Sequence, residues 1–360
     1  MFYYIIFLLL SPLLLILSLF RKNRTPNNLI IQTAKIGDYV NTSIMIDALS
    51  QTDILIDQIN NAFASNDNRL INIFIINKYK KSFFLKMKLA FEIFFNNYEN
   101  VYVVMPNSYN LFLGQMSWAK NKVTLSTYAD KWYKSLLSMR MKKITHTTND
   151  LTIDTYLKMI NESYNHLKFK KIVQKPIQIC SNSVILNKNF SIGISLTAAN
   201  KIKTINIETW LRIFNILKKF DCTIYIFGLE NEQKLYDNLV KNLDELNPNI
   251  VSLLGKIELK YLPYEISKMN LYISSDTGNS YIADAMEVPT INFAGPCYWQ
   301  EQRPVFEKSL IVKSNASCVP YSSVFQTVET EKCKGLFDIN EKQEELISNF
   351  VESLYKDFLY

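Results

Sequence analysis

The sequence predicts an α/β protein of two doubly wound domains, each a parallel sheet flanked by helices, behind an N-terminal transmembrane helix. Three observations carry this expectation. The chain has 360 residues, more than one hydrophobic core usually organises, so two domains of about 150 residues each are expected. The second half alternates short apolar runs with helix-like segments at close spacing, the rhythm of β-α-β units. The first twenty residues carry no charged side chain.

The apolar run from Phe2 to Phe20 is followed at once by Arg21, Lys22 and Arg24. As a helix, ~19 residues span roughly 29 Å, close to the hydrocarbon thickness of a bilayer. Residues 1–24 therefore read as a single-pass membrane anchor, with the rest of the chain held on the cytoplasmic side by the cationic cluster. A cleaved signal peptide is disfavoured because the charge follows the apolar run instead of preceding it. A tightly associated, non-spanning helix is the plainer alternative.

Composition narrows the class. Apolar residues make up 48% and charged residues 20% of the chain, which excludes a disordered polymer and provides for a large core. The net charge of +7 comes from 40 Lys and Arg against 33 Asp and Glu, spread over Lys78–Lys88, Lys131–Lys143 and Lys168–Lys175. Such a surface suits anionic lipid, a phosphorylated glycan or nucleic acid. No zinc-finger or RNP pattern occurs, and no nucleic-acid partner is expected. Cys180, Cys222, Cys297, Cys318 and Cys333 lie far apart with no C-x-x-C pair. Neither a disulfide scaffold nor a zinc site is expected, and the thiols fit a reducing compartment.

The N-terminal domain, residues 25–175, opens with an apolar strand, Leu29-Ile30-Ile31, and a tight turn, Ala34-Lys35-Ile36-Gly37-Asp38. A helix follows, with Ile44, Met45, Ala48 and Leu49 at helical spacing. Ile71–Ile76 and Val101–Met105 read as buried strands on either side of a helix over Lys80–Asn97. Between Ala119 and Lys175 the pattern weakens, with a helix over Asp150–Lys168 leading into the domain junction. Asp38 stands in the turn after the first strand, where a carboxylate can take a proton from an acceptor hydroxyl or merely cap the helix.

The C-terminal domain, residues 176–340, alternates more regularly. Strands are predicted at Ile192–Leu196, Thr223–Phe227, Ile250–Leu253, Leu271–Ser274 and Thr290–Phe293, and helices at Ile207–Phe220, Asn231–Leu243, Leu259–Lys268 and Asn279–Met286. A final amphipathic helix over Glu341–Tyr355 occupies the terminal segment, 341–360. In such sheets ligands lie beyond the carboxyl ends of the strands.

At one of these ends Ser275-Asp276-Thr277-Gly278 joins a strand to a helix. Small residues there let a ligand approach the backbone, and a helix N-terminus favours an anion; capping by Asp276 or Thr277 explains any one of the residues equally well. Lys203, beside Lys201 in the loop after the first strand of this domain, can reach a pyrophosphate held at that turn or can simply be solvated. Glu232 follows Gly228 and can accept a hydrogen bond from a ribose hydroxyl or serve the helix dipole. No Asp-x-Asp, G-x-G-x-x-G or G-x-x-x-x-G-K occurs, which removes support for a carboxylate-bound divalent metal, a dinucleotide oxidoreductase and a P-loop enzyme. The histidines, His146 and His166, lie outside any apolar strand-loop setting, which argues against a Ser-His-Asp hydrolase.

Taken together, Ile36-Gly37-Asp38-Tyr39-Val40, Lys203 seven residues before Trp210, Gly228 with Glu232, Leu254-Gly255-Lys256, Ser275-Asp276-Thr277-Gly278 running through Ala283 and Ala285 to Pro289, and Gly295-Pro296 resemble glycosyltransferase family 9, the heptosyltransferase family of lipopolysaccharide core assembly. The tail with Cys318, Cys333 and Asp338-Ile339 is similar as well. The resemblance implies a GT-B fold, two Rossmann-like domains facing across a cleft, with acceptor bound by the first and nucleotide-sugar by the second. It implies inverting, metal-independent transfer of heptose or another sugar from a nucleotide-diphospho-sugar to a lipid-linked saccharide, in lipopolysaccharide or another surface glycan, at the bacterial inner membrane. Asp38 is then the general base, Lys203 and the Ser275-Asp276-Thr277-Gly278 turn hold the diphosphate, and Glu232 meets the ribose. No cofactor or metal is implied. The chain departs from the family pattern at Tyr281, a donor-site position where His is usual, and at Thr197-Ala198-Ala199-Asn200, which lacks the usual hydroxyls. The rival reading is a catalytically weakened, membrane-tethered saccharide-binding or scaffold protein of the same fold.

Overall fold

The computed structural model describes residues 1–22, 26–173, 189–243, 249–326 and 333–360. Arg24, Lys175, Cys180 and the expected boundary at 175/176 lie outside the described residues. The chain divides into two compact units, Met1–Ile172 and Val173–Tyr360.

The first unit begins with helix α1 (Phe2–Ser18) and strand β1 (Asn28–Gln32), then α2 (Ile36–Leu49), β2 (Thr52–Ile56), α3 (Asn61–Ala64), β3 (Leu70–Ile75), α4 (Phe83–Phe95) and β4 (Asn100–Val103). It continues through α5 (Ser108–Met116), β5 (Asn121–Thr127), α6 (Trp132–Leu137), β6 (Lys142–His146) and α7 (Thr152–Ile160). The six strands form one parallel sheet in the order β3-β2-β1-β4-β5-β6. β1 reads as a continuous apolar run because both of its faces are covered by helices; Leu29, Ile30 and Ile31 are fully buried. The weakly patterned stretch after Ala119 contains β5 and β6, and the helix expected over Asp150–Lys168 stops at Ile160. His146 ends β6, is buried, and pairs with Thr155 Oγ1 at 2.8 Å; β6 itself is a polar strand whose two lysines are exposed.

The transmembrane helix is not borne out. Among the described residues no helix is long and apolar enough to cross a membrane. α1 has 17 residues and ends in a turn before Phe20, whereas the sequence estimate counted the whole charge-free run. One side of it, through Tyr3, Phe7, Leu10, Leu14 and Leu17, joins the core of the first unit. Tyr3 packs on Phe112 with ring centroids 5.0 Å apart, and Phe7 packs on Trp118 at 6.2 Å. Arg21, expected to flank a membrane, instead donates to the carbonyls of Phe94 (3.0 Å), Ser117 (2.9 Å) and Trp118 (3.1 Å), a cation set against the C-terminal ends of α4 and α5.

The second unit runs β7 (Phe190–Ser195), α8 (Ile207–Leu217), β8 (Cys222–Phe227), α9 (Gln233–Lys241), β9 (Asn249–Ser252), α10 (Leu262–Ile266), β10 (Leu271–Ser275), α11 (Gly278–Ala285), β11 (Thr290–Phe293), β12 (Ser309–Val312) and α12 (Glu341–Leu359). Its sheet is also parallel and six-stranded, in the order β12-β11-β10-β7-β8-β9. α12 buries Ile347, Val351 and Leu354 in the same core as Trp210 and Phe214 of α8, so the terminal helix belongs to this unit. Cys318 and Cys333 form a disulfide, against the expectation of free thiols. The fold brings their Cα atoms to 5.9 Å, within bridging range, although 15 positions separate them in sequence. Cys222 and Cys297 are free and buried.

Candidate functional site

In each sheet the strand order reverses beside the first strand of its unit, between β1 and β4 and again between β7 and β10. At such a switch point the connections leave in opposite directions and open a crevice beyond the carboxyl ends of the strands.

In the second unit, Lys203 arrives on the connection after β7 and Asp276 on the residue following β10. The Asn200 side chain accepts the Ile202 N–H at 3.2 Å and sets the single turn Lys201–Lys203. That turn leaves Lys201 exposed and directs Lys203 inward. The Lys203 ammonium forms an ion pair with Asp276 Oδ2, with both side chains largely withdrawn from solvent. Burial alone would lower the Lys203 pKa; the carboxylate of Asp276 and the neighbouring Cys297 outweigh it, and the net shift is upward. Lys203 is therefore a fixed cation at neutral pH.

Asp276 is only 6% exposed and is held from four sides. Tyr281, one turn along α11, donates its hydroxyl to Oδ1 at 2.5 Å. Cys297 Sγ lies 3.4 Å from Oδ2. With its amide oriented so that both ends are satisfied, Gln302 donates to Oδ2 at 2.8 Å. Lys203 completes the set. Burial, reinforced by the Asp276 charge, pushes the Cys297 thiol pKa upward, so this group stays neutral and acts as a hydrogen-bonding wall.

α11 starts directly behind the pair. Thr277 is its N-cap, accepting from Ser280 N at 3.3 Å, while Ser280 Oγ accepts from Thr277 N at 3.3 Å. Capping is thus what Thr277 does. Gly278 and Asn279 supply the preceding amides, which a helix leaves without intrahelical acceptors. Asn279 Nδ2 donates to Ser195 Oγ at 3.0 Å, and that hydroxyl meets Tyr272 OH at 2.7 Å, fixing the first turn to the end of β7. Ser275 is buried as the last residue of β10, and its carbonyl accepts from Asn292 Nδ2 at 3.4 Å. A cation, open helix amides and a wall of neutral donors together suit an anion of more than one charge.

Glu232 follows β8, the strand next to β7 in the sheet. Its Oε1 accepts from Leu229 N at 3.0 Å, a capping role, while a Cβ at Gly228 would fall 2.7 Å from its Oε2. The missing side chain at Gly228 is what lets this carboxylate lie against the end of β8. The sequence missed Cys297 and Gln302; the Gly295-Pro296 break after β11, at a strand's carboxyl end, was the signal that marks them.

In the first unit, Asp38 lies in the first turn of α2 at the corresponding switch point. Its Oδ2 accepts from Lys35 N at 3.3 Å, so it caps. The turn before it is pinned: Thr33 Oγ1 accepts from Asn110 Nδ2 at 2.8 Å, and Asn60 donates to Ala34 O at 2.9 Å. Next to it, Tyr39 stacks on Phe63 with centroids 6.2 Å apart. Asp38 thus stands on a rigid platform at the carboxyl edge of the sheet, half-exposed. Among the described residues no group of three or more His, Cys, Asp and Glu side chains is arranged to hold a metal ion.

Solved structures share this architecture. The family 9 glycosyl transferase of Veillonella parvula superposes with a TM-score of 0.67 at 15% identity, covering 94% of this chain and 99% of that one. The ADP-heptose lipopolysaccharide heptosyltransferase II of E. coli gives 0.67 at 12% identity, covering 93% and 100%. These likenesses bear out the two-unit, GT-B-like α/β fold. Among curated proteins, lipooligosaccharide heptosyltransferase 2 of Campylobacter jejuni is 24% identical over 195 residues, which span 54% of this chain and 58% of that protein. The profile described as glycosyltransferase family 9 (heptosyltransferase) matches residues 125–331. That stretch starts beyond Asp38, contains Lys203, Asp276, Tyr281, Cys297 and Gln302, and exceeds half of the sequence; the chain belongs to glycosyltransferase family 9.

Proposed function

We propose that this chain is an inverting glycosyltransferase that moves heptose or another sugar from a nucleotide-diphospho-sugar to a lipid-linked saccharide of lipopolysaccharide or another surface glycan. The observation that carries the reading is the buried Lys203–Asp276 pair at the start of α11, inside the stretch that matches the family. A diphosphate leaves with its charge developing on the bridging oxygen. Lys203 and the Gly278 and Asn279 amides are the groups that would stabilise it, and they need no carboxylate-bound cation to do so. Asp276 orients the ammonium, and Tyr281 and Gln302 orient Asp276. Glu232 is the proposed ribose contact. In the first unit Asp38 would take the acceptor hydroxyl proton as that oxygen bonds to the anomeric carbon and the carbon–phosphate-oxygen bond breaks. The name of the E. coli relative points to ADP-heptose as the first donor to try.

The test is donor turnover by the full chain, offered ADP-heptose and a panel of other nucleotide-diphospho-sugars with a saccharide acceptor, reading released nucleoside diphosphate. Asp38→Asn should keep nucleotide binding and lose transfer by about 10²–10⁴-fold, the range general base catalysis supplies. A near-normal rate in that variant sinks the assignment of the base. One observation favours a second reading, a saccharide-binding protein without turnover: Asp38, Glu232 and Thr277 all make capping bonds, and the Lys203 ammonium is already ion-paired with Asp276. Tight binding across the panel with no release of diphosphate would establish it.

A further inference from the structure

α1 is apolar on both sides, and the fold uses only one of them. Beside the packed stripe, Phe2, Ile5, Leu9, Leu13 and Ile16 form a second row at spacings of three and four, which aligns them on one face, and each is exposed, Leu9 to 75%. The row continues onto α4. Phe2 meets Phe83 edge-on at 5.8 Å, and Phe84 beside it is 84% exposed. A contiguous apolar surface of this size is rare on a protein that meets only water.

The polar groups of α1 are also arranged for an apolar medium. Pro12 lacks the N–H that would bond to the Leu8 carbonyl, and Ser11 Oγ donates to that carbonyl at 2.9 Å. Ser18 Oγ donates to Leu15 O at 2.6 Å. The two hydroxyls and the carbonyl freed by proline are thus internally satisfied, as hydrocarbon requires. Cations border the surface at both ends. Lys81 and Lys88 are exposed around Phe84 on α4 and Lys22 is exposed just past α1.

From this juxtaposition of an unpartnered apolar row, self-satisfied polar atoms and flanking cations, we propose that the outer face of α1 with Phe83 and Phe84 is a monolayer-docking surface for anionic bilayers. The helix lies in the plane of the headgroups and does not cross. Charge complementarity selects lipid over a second copy of the chain, because two copies meeting face to face would bring like charges together. Interfacial helices of this kind combine apolar burial with attraction to anionic headgroups.

The experiment is flotation of the full chain with vesicles of phosphatidylcholine alone or mixed with phosphatidylglycerol, at low and high salt. The expected result is co-flotation with the mixed vesicles, weakened by salt and at least tenfold weaker with neutral vesicles. The triple variant Leu9→Glu, Leu13→Glu, Ile16→Glu should lose at least tenfold in vesicle binding while its thermal unfolding and nucleotide binding stay at wild-type values, since these side chains face away from the core. Phe84→Glu, outside α1, gives an independent loss. A Leu9→Trp reporter should be quenched more by lipids brominated near the headgroup than by those brominated near the chain end. Equal binding to neutral vesicles overturns the electrostatic part. Equal quenching at both depths, or salt-stable self-association with no flotation, overturns the proposal.

Discussion

The two units share one strand order and differ in what stands at the reversal. In the first, the crevice between β1 and β4 is furnished with neutral side chains, Thr33, Asn60 and Asn110, with Asp38 at its edge. In the second, the crevice between β7 and β10 holds a buried ion pair against a helix start, closed by Tyr281, Cys297 and Gln302. Topology places a crevice in each; the charge placed in it decides what it can bind. In the first the amides of Asn60 and Asn110 are buried and hold the turn in place, whereas in the second a fixed ammonium beside open helix amides suits a diphosphate.

Changing Lys203 should break this contrast most severely. Lys203→Met leaves Asp276 buried without its counter-charge, and losing one partner of a buried pair costs about 3–5 kcal/mol. Calorimetry should show the second unit destabilised and nucleotide binding lost together. The double change Lys203→Met, Asp276→Asn should restore much of the stability and none of the binding, which separates structural from ligand-holding work.

Alkaline pH sharpens the contrast by a second route. The folded Lys203 pKa lies above its ordinary value of 10.5, so the stability it contributes is complete below that value and falls as pH rises towards the folded pKa. The Cys297 thiol, also raised, acts in the same direction once unfolded thiols begin to ionise near 9. Thermal unfolding between pH 9 and 11, a window set by these ordinary values, should show a midpoint that declines, with a shallower decline in Lys203→Met.

The smallest effect is expected at Tyr281. Tyr281→Phe removes one donor from Asp276 at a cost of about 1–3 kcal/mol, because the acceptor is a buried charge. Donor KM should rise while the acceptor KM is unchanged; an acceptor effect of equal size would place Tyr281 elsewhere in the reaction.

The sequence made the second unit legible and the first only in part. Strands such as Cys222–Phe227 are buried on both faces and read as unbroken apolar runs. β2 was missed because Asp53 interrupts its run: the carboxylate is fully buried, accepting from Tyr98 OH at 2.5 Å and from Asn72 N at 3.0 Å. β5 and β6 were missed because much of their polar periphery meets solvent, so Lys122, Lys142 and Lys143 dilute the signal. The candidate site was legible as positions along the chain and not as a cluster. Lys203 and Asp276 are 73 residues apart, and only the sheet order makes their loops neighbours. Asp38, Glu232 and Thr277 could not be assigned from sequence because capping and ligand binding ask for the same residues at the same helix turn.

Helix α1 has a consequence for anyone preparing this protein. An apolar first stretch invites removal as a dispensable leader, yet cutting at residue 21 would uncover Leu111, Phe112 and Leu137, which sit in the same cluster as Phe7 and Leu14. The shortened product would expose fresh core while having lost its lipid-facing row, exchanging one sticky face for another. Detergent or nanodisc support of the intact chain is the sounder route to a well-behaved sample.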